Sequence, residues 1–262
     1  MNSGPVTVNV QPNGVATVTL NRPEVHNALD DVTIAGLTTI LRDLDADGSV
    51  RVVILAGEGK TFCAGADLNW MRRTADIGEQ ENLRDAQSIA AMLRALDEMS
   101  KPAIAAVHGA AFGGGVGLAA CADIAIAAED AEFCLSEVRL GLVPAVISPY
   151  VIRAIGPRQA RRYFLTAERF SAMEARRIGL VHEIVPAAGL AKKVEEVSAA
   201  LSQGGPHALA AAKEIIARVF GRPVDEMTIQ YTAERIAAVR ASAEGREGMS
   251  AFLEKRPPKW RT

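Results

Sequence analysis

Residues 102–121 of the chain, PAIAAVHGAAFGGGVGLAAC, join an apolar run to a run of glycines. The apolar part, Pro102 to Val107, has no charged residue, which is typical of a strand that is buried on both faces of a parallel sheet. The glycines at 113–115 then open a helix of small residues, which we expect to continue through Cys121. A buried strand followed closely by a helix favours an α/β fold.

The alternation of strands and helices extends outward from this stretch. Val6 to Val10 and Val15 to Leu20 alternate apolar and small polar residues around Pro12-Asn13-Gly14, which predicts a β-hairpin. Asp30 or Asp31 is a suitable N-cap for a helix with apolar residues at helical spacing. The remaining predicted elements are strands at Val52 to Ala56, Ile124 to Ala127 and Phe133 to Leu135, and a long helix from about Glu79 to Met99.

The last quarter of the chain has a different pattern. From about Ala187 the apolar spacing is helical only, and residues 202–206, SQGGP, are typical of a hinge. Predicted helices follow at His207 to Phe220, at Pro223 to Ala243 and from Glu247. We therefore predict an α/β core over residues 1–200 and a helical region over residues 201–262.

Composition excludes several classes of protein. Of the 262 residues, 49% are hydrophobic and 23% are charged, which is typical of an ordered domain. A net charge of −2 gives no attraction for nucleic acid or anionic lipid, and no apolar run is long enough to span a membrane. The three cysteines lack CxxC spacing, and residues 1–12 lack the features of a signal peptide. We expect a cytoplasmic protein with reduced thiols.

Two loops of small residues are the first candidates for chemistry. They are FCAGADL at 62–68 and HGAAFGGG at 108–115, and each follows an apolar strand. Small residues let a ligand approach the backbone, and the helix that begins at the second loop directs free N–H groups toward it. Two such donors facing one point would form an oxyanion hole. The dinucleotide pattern GxGxxG and the phosphate-loop pattern GxxxxGK[ST] are both absent.

Motifs along nearly the whole chain resemble one family, in the expected order. They are Asn21-Arg22-Pro23, Asn27-Ala28-Leu29, the two loops, Ser136-Glu137 to Pro144, and Gly248 to Arg256. Together they are similar to the crotonase superfamily of enoyl-CoA hydratases and isomerases. The resemblance implies a spiral of ββα units with a helical C-terminal region that forms a homotrimer or a dimer of trimers. It also implies an acyl-CoA thioester substrate, with coenzyme A as part of the substrate and no separate cofactor.

The resemblance also implies roles for individual residues. The oxyanion donors would be the backbone N–H groups of Ala66 and Gly114. Coenzyme A would contact residues of the loops and of the C-terminal helices, the latter in a neighbouring subunit: Val25, Ala28, Ala64, Asp67, Leu68, Phe252 and Lys255. Hydratases of this family use two glutamates; the second matches Glu137, and the first falls on Gly117, which has no side chain.

Three functions stay open. The first is a hydratase in which Glu137 alone handles the water, with the space at Gly117 admitting a branched or carboxylated acyl group. For this, residues 133–150 resemble bacterial 3-methylglutaconyl-CoA and isohexenylglutaconyl-CoA hydratases. The second is an enoyl-CoA isomerase, and the third is a non-catalytic acyl-CoA-binding homologue.

Burial beside an apolar pocket would raise the pKa of Glu137 and suit it to proton transfer near neutral pH. Cys63 and His108 are weaker candidates, and no metal-ligand spacing is present.

Overall fold

Two sheets and the helices packed on them form the described part of the chain, residues 4–261 of a computed structural model. The strands are β1 (Val6–Val10), β2 (Val15–Leu20), β3 (Val52–Gly57), β4 (Ala103–Val107), β5 (Ala110–Phe112), β6 (Ile124–Ala128), β7 (Glu132–Cys134), β8 (Phe170–Ser171) and β9 (Glu183–Val185). The helices are α1 (Asp31–Ala46), α2 (Leu68–Thr74), α3 (Glu79–Asp97), α4 (Gly114–Cys121), α5 (Ser148–Thr166), α6 (Ala172–Arg177), α7 (Leu190–Ser202), α8 (Pro206–Val219), α9 (Glu226–Ala241) and α10 (Ala243–Leu253).

The larger sheet has the strand order β1-β2-β3-β4-β6-β9. Only β1 and β2 pair antiparallel, as the predicted hairpin requires, and the other strand pairs are parallel. Both faces of the sheet are covered, since Val53 and Leu55 belong to the main core while Val52 and Ile54 pack in a smaller core with α7. This burial on both faces explains why the central strands are apolar at every position.

The smaller sheet has the strand order β5-β7-β8, and its strands alternate along the chain with strands of the larger sheet. At Gly109, with φ of +56°, the chain leaves β4 and enters β5. A Cβ at this glycine would lie 2.0 Å from the carbonyl oxygen of Lys60, so no other residue fits the turn. The order β4-β5-α4 is one ββα unit, and β6 and β7 begin another before α5. The predicted spiral α/β fold is confirmed.

Some predicted elements differ from the structure. Helix α5 was not predicted, because it is interrupted at Gly156 (φ +74°) and Pro157 and therefore lacks an unbroken apolar period. The predicted last helix begins earlier than Glu247, at Ala243, because Ser242 caps it by accepting a hydrogen bond from the N–H of Gly245 at 3.0 Å. Within residues 4–261, no helix is both long enough and apolar enough to cross a membrane.

The predicted hinge at residues 202–206 is a turn held by side chains. Arg51 donates through Nη2 to the carbonyl oxygen of Gly204 at 2.8 Å. The indole N–H of Trp260 and the guanidinium of Arg261 donate to the carbonyl oxygen of Gln203 at 3.1 and 3.0 Å. These contacts attach Trp260 and Arg261 to the junction between α7 and α8. The glycines at that junction therefore lie in a connection of fixed geometry.

Candidate active site

Ala66 lies in a short extended segment that pairs with the segment just before α1. The N–H of Leu29 donates to the carbonyl oxygen of Gly65 at 2.7 Å, and the N–H of Asp67 donates to the carbonyl oxygen of Leu29 at 2.9 Å. In a strand, neighbouring residues direct their polar groups to opposite sides. The N–H of Ala66 therefore points away from Leu29, and Ala66 itself is exposed. This geometry leaves the predicted donor available to a ligand.

The second predicted donor is at the start of α4. Gly113 (φ +47°) donates its N–H to the carbonyl oxygen of Cys134 at 2.9 Å, and Gly114 is the first residue of the helix. The first intrahelical bond joins the N–H of Gly117 to the carbonyl oxygen of Gly113 at 3.1 Å. Among residues 4–261, no acceptor is paired with the N–H of Gly114. It is one of the free donors at the positive end of the helix dipole.

Leu29 and Gly113 bring the two loops together. The Cδ1 of Leu29, whose backbone pairs beside Ala66, lies 3.0 Å from where a Cβ of Gly114 would stand. A Cβ at Gly113 would lie 4.0 Å from the Cα of Gly65 in the first loop. The same position is 3.1 Å from Oε1 of Glu137. Both predicted donor segments and the predicted acid–base residue therefore meet in one small region.

Glu137 is half-buried, and one of its carboxylate oxygens is unpaired. It begins a 3₁₀ turn, Glu137–Leu140, that follows β7. Within the described residues, its Oε2 is buried and has no hydrogen-bond partner. Burial raises the pKa of Glu137 above the ordinary value of a glutamate, since desolvation disfavours the charged form. Such a group exchanges protons more readily near neutral pH than an exposed glutamate does.

Replacing Glu137 with glutamine should raise the melting temperature at neutral pH. Because the pKa of Glu137 is raised in the folded protein, the stability of the wild type falls as pH rises from the unfolded pKa through the folded one. Glutamine does not titrate, so the gain should disappear in acid, where Glu137 is protonated in both states. Thermal unfolding of both proteins from about pH 4 to pH 8 measures this. A difference in melting temperature that does not change with pH would contradict it.

The structure brings together some of the loop residues that were predicted to contact coenzyme A. Ala64 donates its N–H to the carbonyl oxygen of His26 at 3.0 Å, which places Ala64 against the segment containing Val25 and Ala28. Leu68 is 67% exposed beside them. Asp67 differs from expectation, because its side chain is buried and its carboxylate is engaged within the protein. Asp67 as a whole is only 2% exposed. Its contact with coenzyme A stays a prediction.

Phe252 and Lys255 belong to the C-terminal helical region. Phe252 is 82% exposed on α10, and Lys255 follows that helix with φ of +55°. The main contacts of α10 are with α8 and α9. The contact of Phe252 and Lys255 with coenzyme A in a neighbouring subunit stays a prediction.

The space at Gly117 is filled, contrary to the expectation of room for an acyl group. A Cβ at this buried glycine would lie 2.4 Å from Cγ2 of Ile147 and 3.5 Å from Cδ2 of Leu93. Ile147 is itself buried and directly precedes α5. The isoleucine, on a segment that sequence spacing does not connect with α4, therefore takes the place of a side chain at position 117.

The weaker candidates are unsuited to this chemistry. Burial raises the pKa of the Cys63 thiol to about 12, so it is not a thiolate at neutral pH. His108 contacts the carbonyl oxygen of Gly59 through Nε2 at 3.1 Å. It lines a cavity of about 1120 Å³ between the outer face of the large sheet and α7, together with Ile54 and Leu190. That cavity is on the opposite side of the sheet from the main core, and neither Glu137 nor Gly114 lines it.

Comparison with known proteins gives one consistent result. Residues 10–262 match the family model described as enoyl-CoA hydratase/isomerase. The chain belongs to the enoyl-CoA hydratase/isomerase family. A crystal structure of an enoyl-CoA hydratase from Shewanella pealeana superposes with a TM-score of 0.96 at 44% identity, covering 99% of this chain and 97% of that one.

Two curated relatives of the enoyl-CoA hydratase/isomerase family are named for different substrates. The (E)-benzylidenesuccinyl-CoA hydratase of Thauera aromatica is 36% identical over 260 residues, which are 98% of this chain and 99% of the relative. The crotonyl-CoA hydratase of Syntrophomonas wolfei is 34% identical over 244 residues, which are 92% of each chain. The family membership of this enzyme is therefore shown, whereas its acyl group is not.

Proposed function

We propose that this enzyme is an enoyl-CoA hydratase-type lyase that adds water to a 2-enoyl-CoA. The observation that carries the proposal is the half-buried carboxylate of Glu137, which has one buried, unpaired oxygen and lies against Gly113 where the two donor loops meet. A desolvated carboxylate beside two free backbone N–H groups suits a reaction in which a proton moves while negative charge develops on an oxygen.

The proposed chemistry begins at the thioester. Its carbonyl oxygen accepts hydrogen bonds from the N–H groups of Ala66 and Gly114. Glu137 takes a proton from water as the water oxygen bonds to C3, and the electrons of the C2=C3 double bond move onto the thioester oxygen. The oxyanion donors stabilise the resulting enolate. Glu137 then returns a proton to C2, so the net change is the addition of one water molecule.

The acyl group that we propose is branched or carboxylated, of the 3-methylglutaconyl type. Support comes from the resemblance of residues 133–150 to hydratases of such substrates and from the Thauera relative, whose name specifies a dicarboxylic acyl group. The filled space at Gly117 does not add to this support, because Ile147 stands where the extra room was expected. Selectivity of this kind would have to come from other parts of the acyl pocket.

An isomerase is the second candidate, since one carboxylate can move a proton from C2 to C4 of a 3-enoyl thioester through a dienolate held by the same two N–H donors. A panel of acyl-CoAs distinguishes the two, with straight-chain, branched and dicarboxylic members assayed for water addition and for double-bond migration. We expect water addition as the faster reaction on at least one 2-enoyl-CoA. Double-bond migration with no hydration of any member would favour the isomerase. No reaction at all would favour the non-catalytic acyl-CoA-binding homologue, against which the buried, unpaired Oε2 of Glu137 argues.

A homotrimer or a dimer of trimers is the proposed assembly, formed through residues 201–262. In the structure, α9 contains no buried residue. The C-terminal helices and their connections expose a set of large apolar side chains: Ile216, Phe220, Val224, Met227, Ile229, Ile236, Met249, Phe252 and Leu253. Apolar surface on this scale is typical of a protein interface. A neighbouring subunit would cover it and bring Lys255 toward coenzyme A.

Substituting Lys255 with alanine should raise the KM for acyl-CoA severalfold and change kcat little. A lysine that contacts a phosphate of coenzyme A stabilises the substrate and the transition state equally, so its loss weakens binding alone. Steady-state kinetics at low salt measures the effect, because screening is weakest there. Lys192→Ala, at an exposed position of α7, is the matched control. An unchanged KM in the Lys255 variant would show that this lysine does not contact coenzyme A.

A further inference from the structure

One guanidinium joins the N-terminal caps of two helices. Asp30 caps α1 by accepting a hydrogen bond through Oδ1 from the N–H of Thr33 at 2.8 Å. Asp67 caps α2 by accepting through Oδ1 from the N–H groups of Asn69 and Trp70 at 2.8 and 3.0 Å. The other oxygen of each aspartate meets Arg22, at 3.1 Å from Nη1 for Asp30 and 2.9 Å from Nη2 for Asp67. Each carboxylate thus holds a helix with one oxygen and the arginine with the other.

The same guanidinium also holds the backbone beside Ala66. Nη1 of Arg22 donates to the carbonyl oxygen of Ala28 at 2.8 Å. The next residue, Leu29, pairs with the segment on both sides of Ala66. Arg22 is therefore bonded to Ala28, just before Leu29 on one segment, and to Asp67, just after Ala66 on the other. These bonds set the distance and the direction of the two segments relative to each other.

Burial makes the contacts of Arg22 stronger than those of a surface ion pair. The side chain of Asp67 is 3% exposed and that of Arg22 is 18% exposed. Desolvation would raise the pKa of Asp67, but hydrogen bonds from the N–H groups of Trp70 and Asn69 and from Arg22 outweigh it and lower the pKa. Asp67 therefore stays charged at neutral pH. An arginine that bridges two carboxylates with separate nitrogens fixes their geometry in a way that a lysine cannot.

We propose that Arg22 is a positioning residue for the reaction, which acts through Asp67 to aim the N–H of Ala66 at the thioester oxygen. The proposal rests on the proposed function, because it requires that this N–H be an oxyanion donor. Arg22 does not itself reach the thioester in this account. A shift of about 1 Å in a positioned group can cost about a hundredfold in rate. Loss of the arginine should therefore reduce kcat by about ten- to a hundredfold while KM changes less.

The test compares binding of two inert ligands by calorimetry. Butyryl-CoA has a thioester oxygen and no double bond to hydrate, whereas S-butyl-CoA is the thioether without that oxygen. The ratio of their dissociation constants reports the oxyanion donors alone. Arg22→Met removes the bridge, and Arg22→Lys keeps the charge with one point of contact. Lys213→Met is the matched control, since Lys213 similarly joins a carboxylate, Asp123 at 2.6 Å, to a backbone carbonyl, Lys101 at 3.0 Å.

We expect wild type and Lys213→Met to bind the thioester more tightly than the thioether by the same factor. In Arg22→Met that factor should fall toward one, and in Arg22→Lys it should be intermediate. If Arg22→Met does not fold, the lysine variant carries the test with its kcat and its binding ratio. Wild-type ratios in the Arg22 variants, with only a lower melting temperature, would overturn the positioning role. A wild type that does not distinguish the two ligands would instead overturn the oxyanion site and the proposed function with it.

Discussion

Glu137→Gln should lower kcat for water addition by about 10²–10⁴-fold while the enzyme still binds acyl-CoA. Glutamine keeps the shape of the side chain, but it neither accepts the proton of water nor returns one to C2. The loss should be large because the family's other glutamate position is Gly117, so no second carboxylate remains to share the proton transfer. Hydration of the best substrate from the acyl-CoA panel gives kcat, and calorimetry with butyryl-CoA gives binding.

Glu132→Gln is the matched control for this experiment. Glu132 is an exposed glutamate on the neighbouring strand β7, where it pairs with Arg169 at 3.2 Å. An exposed ion pair contributes little to stability, and this one has no part in the proposed chemistry. The control should therefore turn over at the wild-type rate. Full turnover by Glu137→Gln would show that another group moves the proton, and the mechanism would be wrong.

Gly117→Glu should destabilise the protein strongly and so reduce turnover of every acyl-CoA. The new Cβ would lie 2.4 Å from Cγ2 of Ile147, closer than two carbon atoms can approach, so α4 or the start of α5 must move. Overpacking of a core typically costs about 1–3 kcal/mol. The carboxylate adds a desolvation cost, since Leu93 and Ile147 offer it no hydrogen bond. Thermal unfolding measures the loss.

Two further variants separate crowding from the effect of a new carboxylate. Gly36→Glu places the same change at a position of α1 where a Cβ would meet no atom of residues 4–261 within 4 Å outside its own helix, and it should not destabilise. Combining Gly117→Glu with Ile147→Ala should recover part of the stability, because it removes the atoms that clash. If this double variant also hydrates crotonyl-CoA faster than Ile147→Ala does, the second carboxylate has been restored. A Gly117→Glu variant as stable as the wild type would contradict the packing described for Ile147.

Local sequence patterns predicted the parts of the fold that depend on neighbours in the chain. The hairpin of β1 and β2, the buried strand β4 and the glycine start of α4 all follow from alternation, apolar runs and turn residues. The two small-residue loops could be found for the same reason. The resemblance supplied the individual site residues, and the structure brings Glu137 to the junction of those loops.

Contacts between residues far apart in the chain could not be predicted from the spacing of residues in the sequence. Ile147 fills the space at Gly117 from a segment far along the chain, and nothing in its immediate sequence indicates this contact. Arg22 was visible only as part of a motif, because its partner Asp67 lies 45 residues away. The resemblance implied that Asp67 contacts coenzyme A, whereas in the structure its carboxylate caps α2, pairs with Arg22 and is buried. Such contacts depend on how the ββα units stack.

A crystal structure of the enzyme with butyryl-CoA tests the central claim most directly. The proposed mechanism predicts the thioester oxygen at about 2.7–3.1 Å from the backbone nitrogens of both Ala66 and Gly114. It also predicts the Glu137 carboxylate beside C2 and C3 of the acyl chain. A thioester bound in the cavity beneath α7, or one whose oxygen reaches neither nitrogen, would contradict the assignment of the oxyanion site and of the chemistry built on it.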